Sequence, residues 1–207
     1  MLAMYRSFLK SSLILAALLV APWFAQPANA QSYLKNSEIG LSAFGQITGS
    51  SNGDGVNVKP GDSLGGQATF RHIYHPWLGY EAGYGYTRFT DRYSSLPFGI
   101  QHNTHEFEGS YLLTAPHLLG IQPFGLAGIS ALLYSPSLNG GQNVSAQARP
   151  AFTFGVGANF PLLTSHFGVR VQYRGLYHQT PDYGEANLKT GTWRLSSEPA
   201  VGVYLHF

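Results

Sequence analysis

The chain has no cysteine, carries few charges, and has no long apolar run after its first thirty residues. Without cysteine there is no disulfide framework, so an exported fold of this sequence must be held by something else. Charged residues make up only 11% of the 207 residues, against ~25% in ordinary soluble domains. No stretch beyond residue 30 reaches the ~18–20 consecutive apolar residues of a spanning helix. Nor is there a charge excess: the two leader cations subtracted from twelve leave ten Lys and Arg against ten Asp and Glu. A neutral chain without a basic patch excludes nucleic acid as a partner.

What the sequence does have begins with its leader. Arg6 and Lys10 precede an apolar stretch from Leu13 to Phe24, and Pro27-Ala28-Asn29-Ala30 supplies the small-residue exit of a secretory signal. Cleavage is predicted after Ala30, leaving residues 31–207 as one domain. That domain is rich in glycine and aromatics, with 25 glycines and 14% aromatic residues over the whole chain. A bilayer offers no water to backbone N–H and C=O groups, so only helices and closed barrels span it. With the helical route closed, a barrel remains.

Period-two alternation supports that reading. Eight stretches of ~10 residues or more stand out, as expected for outer-membrane strands: Glu38–Thr48, Ser63–Tyr74, Leu78–Thr90, Thr104–Thr114, Ile121–Tyr134, Ala151–Phe160, Phe167–Tyr177 and Thr192–Phe207. The third is the clearest, with Leu78, Tyr80, Ala82, Tyr84 and Tyr86 opposite Gly79, Glu81, Gly83, Gly85 and Thr87. The fifth is apolar on both faces, which leaves its register open. Long polar connections (49–62, 91–103, 135–149 and 178–191) alternate with short ones, so all the long ones lie on one side of the membrane. In such barrels that side is the exterior, which puts both termini in the periplasm. The expected fold is all-β, an eight-stranded antiparallel up-and-down transmembrane barrel.

Four stretches carry a family resemblance: Trp77-Leu78-Gly79-Tyr80-Glu81-Ala82-Gly83-Tyr84-Gly85-Tyr86, Gln122-Pro123-Phe124-Gly125-Leu126-Ala127-Gly128, Val169-Arg170-Val171-Gln172-Tyr173-Arg174-Gly175-Leu176, and Glu198-Pro199-Ala200-Val201-Gly202-Val203-Tyr204-Leu205-His206-Phe207. Through them the mature chain resembles the OmpA-like eight-stranded barrels, a group that includes OmpX-type and opacity-type proteins. The resemblance implies a Gram-negative outer-membrane location amid lipid and lipopolysaccharide. It also implies that Val201, Val203, Leu205 and Phe207 form the signal read by the barrel-assembly machinery. A following peptidoglycan-binding domain, and with it cell-wall anchoring, is not expected. The family's barrels serve as adhesins, evasion factors, envelope staples or lipid-A enzymes, so the fold leaves the role open.

Candidate site residues follow from parity. Arg71, Arg170, Arg174 and Arg194 share the inward parity with Glu81, Glu106, Glu108 and Glu198, and an eight-stranded barrel is narrow enough for these to pair in a lumen charge network. Trp77, Tyr86, Phe89, Tyr177 and Trp193 stand at strand ends, where aromatic girdles meet the lipid–water boundary. His102 and His105 are three apart and do not share a strand face, so no metal or other cofactor is expected. Ser165, His166 and Glu198 are the triad-type candidates, but the first two fall in a predicted periplasmic turn and no catalytic role is expected. The expected role is structural or surface-interacting, with recognition in four long loops whose partner the sequence does not name. A soluble lipocalin-like barrel, a narrow pore and a lipid-A-modifying barrel are the alternatives, and the first would need its apolar residues inside.

Overall fold

The computed structural model describes residues 34–137, 144–162 and 166–207, and the predicted leader and its cleavage site fall outside these residues. Ten strands follow in order: β1 (Ser37–Thr48), β2 (Ser51–Gly53), β3 (Val56–Pro60), β4 (Ser63–His75), β5 (Leu78–Tyr93), β6 (Gly99–Thr114), β7 (Gln122–Pro136), β8 (Gln147–Pro161), β9 (Phe167–Gln179) and β10 (Trp193–His206). Eight of them, β1 and β4–β10, pair with their neighbours in sequence. The circle closes where β10 lies antiparallel on β1, with Ile39 opposite Leu205 and Ala43 opposite Val201.

The barrel is inside out relative to a soluble one. Leu41, Phe107, Tyr111, Ile129, Phe152, Val156 and Val201 all face outward and are more than half exposed. The alternate positions, Gln67, Glu81, Glu108, Thr153, Arg170 and Glu198, are buried in the lumen. This polarity excludes the lipocalin-like arrangement and suits a wall solvated by lipid. The register of β7, left open by its sequence, places Phe124, Leu126, Ser130, Leu132 and Tyr134 inward. Phe124 is tolerated among charges because the Arg71 guanidinium sits over its ring, 4.1 Å from the centroid.

Two connections differ from the expected long loops. The segment 49–62 contains a hairpin, β2 and β3, turned by Asp54 and Gly55 at φ values of 49° and 77°. Two successive left-handed residues make a type I′ turn, for which Asp-Gly is a preferred pair. The segment 91–103 is largely strand: β5 continues to Tyr93 and β6 starts at Gly99, leaving 94–98 as the connection. Asp91, Tyr93, Ile100 and His102 prolong the inward row beyond the predicted ends and are buried by what covers the mouth of the barrel.

Candidate functional site

The lumen is a stack of polar layers. Starting from the end that holds the short turns, Arg170 pairs with Glu38 and donates Nε to Asn159 Oδ1 at 2.8 Å. The next layer joins Arg71 to Glu81, and Arg71 Nη2 donates to Gln172 Oε1 at 3.3 Å. Gln172 hands the chain to Gln67, 3.1 Å away, and Gln67 Nε2 donates to Glu108 at 3.2 Å. Glu108 belongs to the central knot, where Arg174 alone binds three carboxylates: Glu108, Glu198, and Glu106 at 2.7 Å. Ser110 and Ser130 hydroxyls donate to Glu108 and Glu106 at 2.6 and 3.0 Å, filling lone pairs the guanidinium leaves free. A charge taken out of water costs several kcal/mol unless paired and hydrogen-bonded. Every charged group here has an opposite charge beside it, while Arg71 Nη1, Glu81 Oε1 and Arg174 Nε are buried without a hydrogen bond among the described residues.

Above the knot, a void of about 10 Å³ lies between Gln46, Glu106, Tyr134 and Glu198, room for roughly one water. Beyond it Arg194 grips Asp91 with two parallel bonds of 3.0 and 2.9 Å. His102 Nε2 lies 3.3 Å from the same carboxylate, and His178 bridges Ser196 and Tyr134 at 3.1 and 3.2 Å. All eight residues expected in the lumen network lie inside, and the structure divides them among four layers. Two further acids, Glu38 and Asp91, stand in the lumen beside the eight expected there. Glu38 opens its strand, and Asp91 sits on the unrecognised extension of β5.

An apolar roof closes the mouth. Val56 and Val58 from the hairpin and Tyr183 and Leu188 from the 180–192 connection pack on Phe89, Tyr93, Ile100 and Tyr134. Phe89 belongs to this roof and not to the lipid–water girdle expected for it: it is 4% exposed and stacks edge-on against His102 at 4.2 Å. It cannot share a girdle with Tyr86, because three residues along a strand reverse the face. Tyr86, Tyr177 and Trp193 do face outward, the last two stacked at 5.2 Å, and Trp77 is exposed in the turn between β4 and β5. Val201, Val203, Leu205 and Phe207 line one outward row of the closing strand.

Small polar clasps hold the roof. Tyr93 OH donates to Pro181 O at 2.7 Å, and Thr180 Oγ1 to Ser51 Oγ at 2.9 Å. Gly53 passes so close to the Thr190 carbonyl that a Cβ there would overlap it. Asp182 accepts from Gln147 at 2.7 Å and from Arg149 at 2.9 Å. Partial burial pushes the Asp182 carboxyl up, but the Gln147, Gly184 N–H and Arg149 contacts outweigh it and hold the group below its ordinary value. A lowered folded pKa gives stability that is present above the unfolded value and lost as pH falls through the folded one. Amide exchange in 180–192 is accordingly expected to accelerate as pH drops below about 4, after correction for intrinsic rates, and Asp182→Asn should remove that step.

The triad-type candidates do not meet. Glu198 is locked on Arg174, whereas the His166 carbonyl accepts from His206 N, eight residues along β10 and about 26 Å away. Ser165 lies outside the described residues. His102 is buried and His105 turns outward to Tyr84, 2.8 Å from its hydroxyl. Among the described residues no three His, Asp or Glu side chains gather as a metal would require.

Among solved structures the fold is shared with Neisserial surface protein A (16% identity, TM-score 0.59, covering 84% of this chain and 98% of that one). It is shared as well with OprG of Pseudomonas aeruginosa (12%, 0.58, 84% and 96%). Ail, the attachment invasion locus protein of Yersinia pestis, is also similar (14%, 0.51, 84% and 99%). No curated protein sequence matches the chain. The family model for the outer membrane protein beta-barrel domain matches residues 15–197. With closure, outward apolar rows and this match in agreement, the chain belongs to the outer membrane protein beta-barrel domain family.

Proposed function

We propose that this protein is a non-enzymatic structural or surface-interaction component of the bacterial outer membrane, in which a closed barrel carries recognition elements at its extracellular end. The observation that carries the proposal is the lumen, which is filled by four bonded layers and roofed by Val56, Val58, Tyr183 and Leu188. Such an interior suits a rigid stand better than a pore. The elaborated end, with its hairpin and the clasped 180–192 connection, offers the surface on which a partner would act. In this reading residues 1–30 are removed after Ala30 on export, both mature termini are periplasmic, and lipid and lipopolysaccharide surround the wall.

The test has two parts. Purified protein in planar bilayers should show no persistent open conductance, and an epitope inserted between Asp54 and Gly55 should be labelled on intact cells. Steady conductance, or an epitope reached only after the outer membrane is permeabilised, would overturn the proposal.

Biogenesis gives a second check. Phe207 is exposed on the lipid-facing row, and its backbone is tied to Ser37 and Asn36 at 2.9 and 3.1 Å. A charge near the interface costs only ~0–1 kcal/mol, so Phe207→Asp should refold into detergent almost normally. Its folded amount in the outer membrane of cells should nevertheless fall, because the assembly machinery reads this row. Normal accumulation in cells would remove the targeting role.

A further inference from the structure

Three of the five exposed cations of the mature chain stand together on one outward face. Four arginines are in the lumen and Arg149 is paired with Asp182, leaving Lys35, Lys59, Arg88, Arg92 and Lys189. Arg88 and Arg92 continue the outward row of β5 above Tyr84 and Tyr86. At 3.3–3.4 Å per residue they lie about 7 and 20 Å beyond Tyr86 along the strand. Lys59 is directly opposite Arg92 in the β3–β5 pairing, and both are exposed. Like charges in that position destabilise a sheet.

Arg88 donates to Gln101 at 2.6 Å, while among the described residues Lys59 and Arg92 have no ion-pair partner. Of the nearby acids, Asp91 points inward to Arg194, and Asp54 lies at the hairpin tip beside Gly191. Asp62, on the link into β4, is exposed and unpaired among the described residues. The face thus keeps an excess of positive charge immediately above an aromatic shelf. There Tyr84 and Tyr86 pack around the outward-turned His105.

The wall beside this row is indented. A groove of about 550 Å³ runs over Gly109, Ala131 and Pro150 between Phe107, Ile129 and Phe152, within the ~300–1,000 Å³ of ordinary ligand sites. Phe107 packs on Tyr84 with ring centroids 5.4 Å apart, so groove and cation row share a border.

We propose that this face is a binding site for a phosphorylated glycolipid of the outer leaflet, lipopolysaccharide, resting on the outward orientation of the hairpin end proposed above. Phosphate groups bridge Lys59 and Arg92 and engage Arg88, turning a cross-strand repulsion into attraction. An acyl chain occupies the neighbouring groove, and the tyrosine shelf lies at the boundary between the two.

The experiment titrates the purified protein in detergent with bisphosphorylated lipid A, with the dephosphorylated lipid, and with inorganic phosphate as competitor. Lys59→Gln/Arg88→Gln/Arg92→Gln is compared with Lys189→Gln, and folding is checked by heat-dependent gel mobility. Each cation near an anionic lipid surface is worth about fivefold, so the triple variant should bind the phosphorylated lipid about one hundredfold more weakly. Lys189→Gln should be unchanged, the dephosphorylated lipid should bind wild type as weakly as the triple variant binds lipid A, and free phosphate should not compete. Equal affinity of a folded triple variant, an equal loss in Lys189→Gln, or competition by inorganic phosphate would each overturn the site. Intact lipid A binding together with an Asp54–Gly55 epitope closed to label on cells would overturn the outer-leaflet assignment through the orientation instead.

Discussion

Arg174→Met is expected to cost about 3–5 kcal/mol of barrel stability, the range found when one partner of a buried ion pair is removed. The guanidinium is fully buried and is the common cation of Glu106, Glu108 and Glu198. Its loss leaves three carboxylates facing one another with two serine hydroxyls and Gln67 as their remaining donors. Urea-induced unfolding after refolding into detergent micelles measures the effect, with heat-dependent mobility reporting closure. Arg174→Lys should fall between, since an ammonium is a point charge without the planar fork that reaches several carboxylates. Adding Glu106→Gln, Glu108→Gln and Glu198→Gln to Arg174→Met should recover much of the loss, because amides tolerate one another where carboxylates do not. A single Arg174→Met variant as stable as wild type would show that the knot is not what holds the lumen.

The inward side of that knot is legible in the sequence because Glu106 and Glu108 in β6, Arg170 and Arg174 in β9, and Arg194 and Glu198 in β10 each keep one parity. Once Phe107 and Tyr173 face lipid, Glu106, Glu108 and Arg174 must face inward. The partners could not be read in the same way. Parity fixes a face, while the depth at which Arg174 meets Glu198 depends on the stagger between strands, which only pairing sets. Asp91 is hidden for a related reason, since the alternation breaks where polarity rises, whereas Glu38 opens the first stretch on the inward parity of Gly40 and Gln46. Asp91-Arg92-Tyr93 reads as loop because two of its three residues are charged, yet Asp91 and Tyr93 are inward and buried.

The roof was less visible still. Asp54-Gly55 is a strong local hairpin signal, but Val56 and Val58 are too few to mark a strand by periodicity. Their apolar partners Tyr183 and Leu188 lie more than a hundred residues away. Phe89 stands near a predicted strand end, where girdle aromatics gather, but its parity and not its position decides its face. The parity of Thr87 and Asp91, both inward, already places Phe89 inside.

Val58→Asp is expected to detach this roof while leaving the barrel below it folded. Val58 is fully buried opposite Tyr93, and a carboxylate there would enter an apolar cluster. The nearest layer's guanidinium, Arg194, is already held by both oxygens of Asp91. An uncompensated buried charge costs several kcal/mol, whereas the clasps at Pro181 and Ser51 are neutral hydrogen bonds worth about 1 kcal/mol each. The balance therefore favours opening. A cost of ~3 kcal/mol corresponds to about a hundredfold faster amide exchange, expected in 51–60 and 180–192. His102, sealed in the native protein, should become reactive to diethyl pyrocarbonate. Protection in β7, β8 and β9 should hardly change, because their layers at Arg174 and Arg71 lie deeper and keep every bond. Val58→Ala, which removes volume without adding charge, should show the same pattern much more weakly. If Val58→Asp instead lowers protection through β7–β9 to the same extent, roof and barrel unfold as one cooperative unit.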